Sequence, residues 1–328
     1  MKTQSASPMI KRSQYGFSLV ELMVAITLGF IVVGAVGYLF LGSRQSYRST
    51  DAMSRIQENA RYALQTMARN VRMAGYVGCG NLQAMTMNTI AKPPAPVLTP
   101  ANAITGWDAN AGTMSFGSPA ITRISTTDAI SVMGAFGGGV NLTGNVTPTN
   151  ANVQISGNPN NFAVGDLLIV SNCTNADNFS ATTVSNSGGT VTLAHATNAN
   201  TTNWVGTYDT SATVMKLEQY TYFIGTNPSG GRSLYRDSLS EGTVELADNV
   251  WDMQIQYLVN GGTGYIPASS VANWAQVVSA RISLLLVSQD NVLSSPQTYN
   301  FNGASVLATD RRMYQVFTTT VGVRNRLS

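Results

Sequence analysis

Glu21 is the single charged side chain in an apolar run that extends from Phe17 to Leu41. A carboxylate inside a stretch able to cross a bilayer costs roughly 2.5–3.5 kcal/mol on insertion scales, and such a residue marks a functional position by default. Its chemistry is that of an anion without a cation: any arrangement that brings a positive group to it in lipid is favoured. The remaining reactive side chains are few. Cys79 and Cys173 are the two cysteines, and His195 is the single histidine. His195 lies in a Thr- and Asn-rich segment and reads as a surface residue without a role. One histidine supports no metal site of the usual kind. The chain has no GxSxG, no Walker motif and no clustered carboxylate pair. Neither an enzyme nor a bound cofactor or metal is expected.

The elements that would position Glu21 follow from the flanks. At about 1.5 Å per residue, a helix from Phe17 to Leu41 covers a hydrocarbon core of roughly 30 Å. Lys2, Lys11 and Arg12 precede it, and no acid occurs before Glu21. By the positive-inside rule the N-terminus stays cytoplasmic and everything beyond Leu41 is exported. A secretory signal peptide is the competing reading. Its apolar region would be shorter and followed, not preceded, by the small residue at a cleavage site. Here Gly16 comes first, so a cut after it leaves the apolar segment on the mature chain.

That orientation places Cys79 and Cys173 in an oxidising compartment, where a disulfide between them is expected. Closing a loop of about 95 residues would stabilise the fold by roughly 4–5 kcal/mol in the chain-entropy model. The formal charge is +3. The three basic residues before Gly16 account for all of it, which argues against nucleic-acid binding through bulk positive charge. Charged residues make up 11% of the chain, against roughly 25% in ordinary soluble domains. Asn, Thr, Ser and Gly take their place.

Helical periodicity continues past the apolar run. Met53, Ile56, Ala60, Ala63, Met67 and Val71 recur at spacings of three and four, an apolar stripe on a helix that reaches Ala74. Gly75 and Gly78 suit its end. Gly29, Gly34 and Gly37 interrupt the apolar half, and Ala25 with Gly29 forms a small-xxx-small pair that permits close helix approach.

Beyond Ala74 the pattern is β-like. Residues 81–112 carry Pro93, Pro94, Pro96 and Pro100 and read as irregular. Residues 110–210 alternate short apolar runs with Asn, Gly, Thr and Ser clusters, with a strand expected over 163–170 and a flexible turn at Gly137–Gly139. The C-terminal part is better patterned. Val214 to Ile224 and Ser233 to Ser238 form a hairpin, and strands follow over 251–257, 275–288 and 313–324. The fold class expected is α+β: a long N-terminal helix and an antiparallel sheet packed on its stripe, with no parallel pairing.

The segment Lys11-Arg12-Ser13-Gln14-Tyr15-Gly16-Phe17-Ser18-Leu19-Val20-Glu21 resembles the prepilin motif of type IV pilins and type II secretion pseudopilins. The resemblance implies cleavage by prepilin peptidase between Gly16 and Phe17 and N-methylation of Phe17. It also implies a salt bridge from Glu21 to the methylated amine of a neighbouring subunit during assembly. The chain then divides into a leader (1–16), a transmembrane and polymerisation half-helix (17–43), an amphipathic half-helix (44–74) and an exported β-rich head (75–328).

A second resemblance, to the PilW family of minor pilins, is carried by residues 51–64 (Asp51-Ala52-Met53-Ser54-Arg55 to Leu64) and by Met73-Ala74-Gly75-Tyr76-Val77-Gly78-Cys79. Asp310-Arg311-Arg312 and Val323-Arg324-Asn325-Arg326 carry it at the other end. It implies a low-abundance subunit at or near the tip of a type IV pilus that primes assembly with other minor pilins and the major pilin. A tip adhesin is a further candidate partner. The subunit would sit in the inner membrane, head in the periplasm, before passing to the extracellular fibre. Adhesion and twitching motility are the activities such fibres serve. Arg324 and Arg326 are expected on one strand face, pairing with acids rather than with nucleic acid. The alternatives are a type II secretion pseudopilin and a bitopic membrane protein that does not polymerise; a bitopic protein would not need the Gly16–Phe17 cut.

Overall fold

The computed structural model describes residues 16, 18–150, 152–202 and 205–326; the leader up to residue 15 and Phe17 lie outside the described residues. It comprises two compact units, Met1–Asp51 and Ala52–Ser328. In chain order the elements are helix α1 (Leu19–Arg72) and strands β1 (Thr86–Thr89), β2 (Ile104–Trp107), β3 (Ser115–Phe116), β4 (Ile121–Thr122), β5 (Ala129–Asn141), β6 (Asn152–Ser156), β7 (Leu167–Ser171), β8 (Asn175–Ser180), β9 (Thr183–Ser187), β10 (Thr190–Ala194), β11 (Thr213–Thr226), β12 (Arg232–Ser238), β13 (Gly242–Asp248), β14 (Val250–Val259), β15 (Val277–Val287), β16 (Thr298–Phe301), β17 (Ala304–Leu307) and β18 (Tyr314–Gly322). Three short 3-10 turns, at Ala268–Ser270, Trp274–Gln276 and Arg324–Arg326, complete the set.

Helix α1 passes through Gly29, Gly34 and Gly37 without a break. In the first unit, none of its side chains from Leu19 to Arg48 is buried. By length and composition this half is apolar enough to cross a membrane. In the second unit the expected stripe is the buried face. Ile56, Ala60, Ala63, Met67 and Val71 are buried, and Met53 is partly so. They share one core with Ile130, Val132, Tyr222 and Ile224 from one sheet and with Met253, Ile255, Ile282 and Leu284 from another. Burying each large apolar side chain contributes about 1.5–3 kcal/mol. The one polar residue on this face, Asn70, is satisfied by donating to the Tyr222 hydroxyl at 2.7 Å.

The helix ends where Gly75 adopts a φ of +71°, a conformation without steric cost only for glycine. Its N–H bonds the Met133 carbonyl at 2.8 Å. Gly134 lets the two backbones meet: a Cβ there would lie 2.9 Å from the Met73 carbonyl oxygen.

The sheets are mostly antiparallel. The largest has eight strands in the order β1-β8-β7-β11-β12-β13, with β5 also pairing β11 and β2 pairing β5. A three-stranded sheet, β14-β15-β18, has β15 at its centre, as its apolar Leu284–Val287 run requires. A further sheet, β6-β10-β9, and two hairpins, β3-β4 and β16-β17, account for the rest. Several expectations need correction. One pair, β1 with β8, is parallel; residues 90–174 separate the two strands, enough chain for such a crossover without a helix. The region 81–112 holds two short strands, β1 and β2, rather than being wholly irregular. The strand expected over 163–170 begins only at Leu167, because Asp166 closes a turn by accepting from the Ala163 N–H at 2.8 Å. Gly137–Gly139 lies inside β5, opposite a register shift between Val214 and Lys216, and is not a free turn.

Candidate functional site

The first helical turn places Glu21. Ser18 precedes the helix as its cap residue, and its N–H donates to Glu21 Oε2 at 3.0 Å, while the Glu21 N–H donates to Ser18 Oγ at 3.2 Å. This reciprocal pair is a capping box, which satisfies two of the backbone donors a helix leaves open at its start. The negative charge also faces the positive end of the helix dipole. Sequence reasoning assigned Glu21 an outside partner and missed this inside one, although Ser-x-x-Glu ahead of an apolar run is its signature. A carboxylate carries about four acceptor positions, so the cap leaves capacity for a cation. Gly16 is exposed and outside the helix. Phe17, the residue that would carry the amine, lies outside the described residues.

Cys79 and Cys173 are joined in a disulfide, with their Cα atoms 4.8 Å apart. Cys79 follows the end of α1 by seven residues, and Cys173 sits in the turn between β7 and β8 with a φ of +70°. The bond therefore ties the exit of the helix to the large sheet.

His195 is not a surface residue: it is fully buried, its ring centroid 5.0 Å from that of Phe179. The alternation of β10 explains this, since Val191, Leu193 and His195 all point inward. The C-terminal arginines also differ from expectation. Arg324 and Arg326 occupy a 3-10 turn, not a strand face. Arg326 donates to the backbone carbonyls of Trp274 at 2.6 Å, Val277 at 3.0 Å and Pro100, not to acids. Burial pulls its pKa down to about 10. Arg312 does pair with an acid, Asp310, at 2.6 Å, and its guanidinium lies 4.8 Å from the Trp251 ring centre.

Two carboxylates that sequence reasoning did not single out fasten the second unit. Asp108 accepts from the N–H groups of Ala268 at 2.8 Å and Ser269 at 2.7 Å. Asp128 accepts from those of Ala109 at 2.8 Å and Ile255 at 2.7 Å, so it links the start of β5 to β14. Burial raises the Asp128 pKa to about 6; the two N–H bonds oppose that rise, and the Asp108 and Asp252 charges add to it. Neighbouring Arg123 is buried, and burial lowers its pKa against the attraction of Asp128. Among the described residues, no group of three or more His, Cys, Asp or Glu side chains could hold a metal ion.

Comparison with known proteins adds two family matches. Residues 11–37 match the prokaryotic N-terminal methylation motif, and residues 221–325 match the family described as Type IV Pilus-assembly protein W, PilW. The first match contains Gly16, Phe17 and Glu21, and the second contains the C-terminal end of β11 from Thr221 and all of β12 to β18. A solved type IV-like pilin from Thermus thermophilus is similar over 84% of this chain and 98% of its own, at 9% identity and a TM-score of 0.36. No curated protein matches the chain. The N-terminal motif, the long apolar helix and the mostly β second unit define a type IV pilin-like protein. Within that class, residues 221–325 are similar to the PilW family of minor pilins.

Proposed function

We propose that this chain is a structural subunit of a type IV pilus, processed by prepilin peptidase between Gly16 and Phe17 and methylated on the Phe17 amine. It then joins other minor pilins and the major pilin to prime the fibre, and it resides at or near the tip. Before assembly, residues 17–43 span the inner membrane with the N-terminus cytoplasmic and the head, residues 75–328, in the periplasm. The observation that carries this reading is helix α1. Its first half is apolar and unburied and begins at a capped carboxylate, while its second half is part of a packed core.

The proposed assembly step uses Glu21 directly. Among the described residues its charge is held by Ser18 and the helix dipole. The methylated amine of a neighbouring subunit supplies the missing cation, and the pair is stronger in a fibre core than in water because the dielectric there is low. Oxidation of Cys79 and Cys173 belongs to the exported head. No catalytic step is proposed. The PilW match favours a pilus over a secretion pseudopilin.

The reading is tested by incubating the full chain with prepilin peptidase and sequencing the product, then probing the sheared pilus fraction for it. A new terminus at Phe17 and recovery of the subunit with pili are expected. An intact leader on functioning exported protein, or absence from pili of an otherwise piliated strain, refutes it.

A further inference from the structure

The sheet β14-β15-β18 has two edges, and only one of them is closed. Along the outer edge of β14, the Met253 carbonyl accepts from the Asp128 N–H at 2.9 Å and the Ile255 N–H donates to Asp128 Oδ2 at 2.7 Å. Tyr257 and Ile266 exchange backbone bonds of 2.8 and 2.9 Å on the same side. The outer edge of β18 is open. In an antiparallel strand, successive residues turn their backbone groups to opposite sides, and two contacts fix the phase here. The Val323 N–H donates to the Val278 carbonyl at 2.8 Å, so odd-numbered residues face β15. Tyr314 turns the other way: its N–H donates to Gln297 Oε1 at 3.1 Å and its carbonyl accepts from Gln297 Nε2 at 2.7 Å. Beyond Tyr314, the N–H and C=O groups of Val316, Thr318, Thr320 and Gly322 point outward and meet no protein group among the described residues. Native sheets blunt such edges with charge, proline or a bulge. β18 carries no charged side chain and no proline, and its register against β15 runs without a shift over its whole length.

A second, independent observation lies beside that edge. A cavity of about 400 Å³ opens between the outer face of this sheet and the tip of the β16-β17 hairpin, and Val316 and Thr318 line it. Arg281 is the one charged side chain in its lining, among neutral neighbours such as Gln254, Gln256 and Ser283. Across the strands Arg281 stands opposite Gln256 on β14 and Thr320 on β18, so neither flank supplies an acid. The guanidinium is held in place. It lies 4.0 Å from the centre of the Tyr265 ring, and the Tyr265 hydroxyl is 2.9 Å from Ser279 Oγ, which donates to the Val321 carbonyl at 3.0 Å. A guanidinium stacked in this way keeps its N–H fork for a carboxylate in its own plane.

We propose that β18 is the docking edge for an extended, acidic segment of a partner polypeptide, which adds a strand to the sheet and lays a glutamate or aspartate across Thr318 and Thr320 onto Arg281. The open backbone groups supply the affinity and the cavity supplies the selectivity, the division of labour general to strand addition. The added strand lies about 10 Å from β15, two strand spacings. The short threonine side chains between them leave the path clear for the acid and Arg281 to meet. A second copy of β18 would satisfy the same backbone groups but brings no acid, so charge complementarity selects a different chain. The surface uses no residue of the first unit or of the disulfide, and its failure would leave the pilin reading standing.

The test uses the full chain in detergent micelles and two peptides, acetyl-Thr-Val-Glu-Val-Thr-amide and its counterpart with Gln at the centre, which match in shape and differ in charge. Binding is followed by saturation-transfer NMR, with micelles alone as the baseline, and backbone amide exchange by mass spectrometry. Saturable binding of both peptides is expected, the Glu peptide about three- to fivefold tighter, as suits a partly exposed charge pair. The bound peptide is expected to slow exchange at Val316, Thr318, Thr320 and Gly322. Arg281→Gln is expected to make the two peptides equal. Thr320→Pro removes one outward donor at an edge position where proline is tolerated, and it is expected to weaken both peptides and keep their ratio. No saturable binding, equal binding of the two peptides to the unmodified protein, an unchanged ratio in Arg281→Gln, or protection that spares β18 overturns the proposal. So does self-association through β18 without selectivity between the peptides, which would make a second copy the occupant. Should Thr320→Pro fail to fold, exchange along β18 in the unmodified protein decides.

Discussion

Glu21→Gln separates two roles that Glu21→Ala confounds. The structure gives Glu21 a local task, since its carboxylate accepts the Ser18 N–H at 3.0 Å and closes the capping box. Glutamine can make that bond too, because the motif accepts Glu or Gln at this position. Loss of a cap costs about 0.5–2 kcal/mol. The proposed assembly task needs the charge: breaking a buried ion pair by removing one partner costs roughly 3–5 kcal/mol. The neutral side chain also escapes the lipid penalty of roughly 2.5–3.5 kcal/mol before assembly, which favours the membrane state and so adds to the loss. Both terms act on the discrimination between membrane and fibre, and the smaller estimate of the first is enough for the forecast. If that loss is about 3 kcal/mol, incorporation falls by roughly a hundredfold, at 1.4 kcal/mol per factor of ten. The assay is an immunoblot of sheared pili against membranes, with cleavage after Gly16 checked by sequencing the amino terminus. Glu21→Gln is expected to be cut normally and to be depleted from pili at least tenfold. Glu21→Ala is expected to do no better. Normal incorporation of Glu21→Gln beside a defect in Glu21→Ala would show that the cap, not the charge, is what assembly needs.

Three further outcomes test the second unit. Replacing Cys79 and Cys173 together by serine is expected to lower its unfolding free energy by about 2–5 kcal/mol, read by chemical denaturation of the full chain in detergent, and an unchanged midpoint would remove the disulfide from the account. Met67→Ala is expected to cost about 2–5 kcal/mol by opening a cavity in the shared core, and a loss below 1 kcal/mol in the same measurement would show that the helix is not anchored there. Because burial raises Asp128 to about 6, the folded chain holds a proton between roughly pH 4 and 6 that the unfolded chain has released. Stability is therefore expected to fall as pH rises through that window, and Asp128→Asn is expected to flatten this part of the slope; the same slope in the variant would refute the assignment.

How far the sequence reveals this molecule depends on the range of the interaction that fixes each part. The stripe from Met53 to Val71 was legible because helical spacing is local and the buried face is all apolar but for Asn70. The strand β14 was legible because Met253, Ile255 and Tyr257 alternate in step with the pleat, and β15 because its Leu284–Val287 run is continuously apolar, as a central strand requires. The parallel pairing of β1 with β8 was not, because nothing near residues 86–89 encodes a partner at 175–178. His195 was misread through the composition of its surroundings, whereas the two-residue period through Val191 and Leu193 carried the right answer. Arg326 was misread because a guanidinium can be satisfied by three carbonyls from distant loops, a solution that exists only after folding. At Glu21 both readings stand on the sequence: a lipid-embedded acid and a Ser-x-x-Glu cap are written in the same four residues.

The two halves of α1 face opposite problems with one backbone geometry. From Ala52 to Arg72 the apolar residues occupy one stripe and the core covers it. From Leu19 to Leu41 they occur all round, and none is covered. Soluble monomers rarely expose contiguous apolar patches beyond a few hundred Å², so this half needs a surrounding phase that is itself apolar. Lipid and the matching helices of other subunits both qualify, and neither is preferred by apolar contact alone, because lipid tails are as apolar as leucine. Transfer between them therefore has to be decided by a polar term. Glu21 is the one charged side chain between Phe17 and Leu41, and the proposed passage from membrane to fibre assigns that term to it.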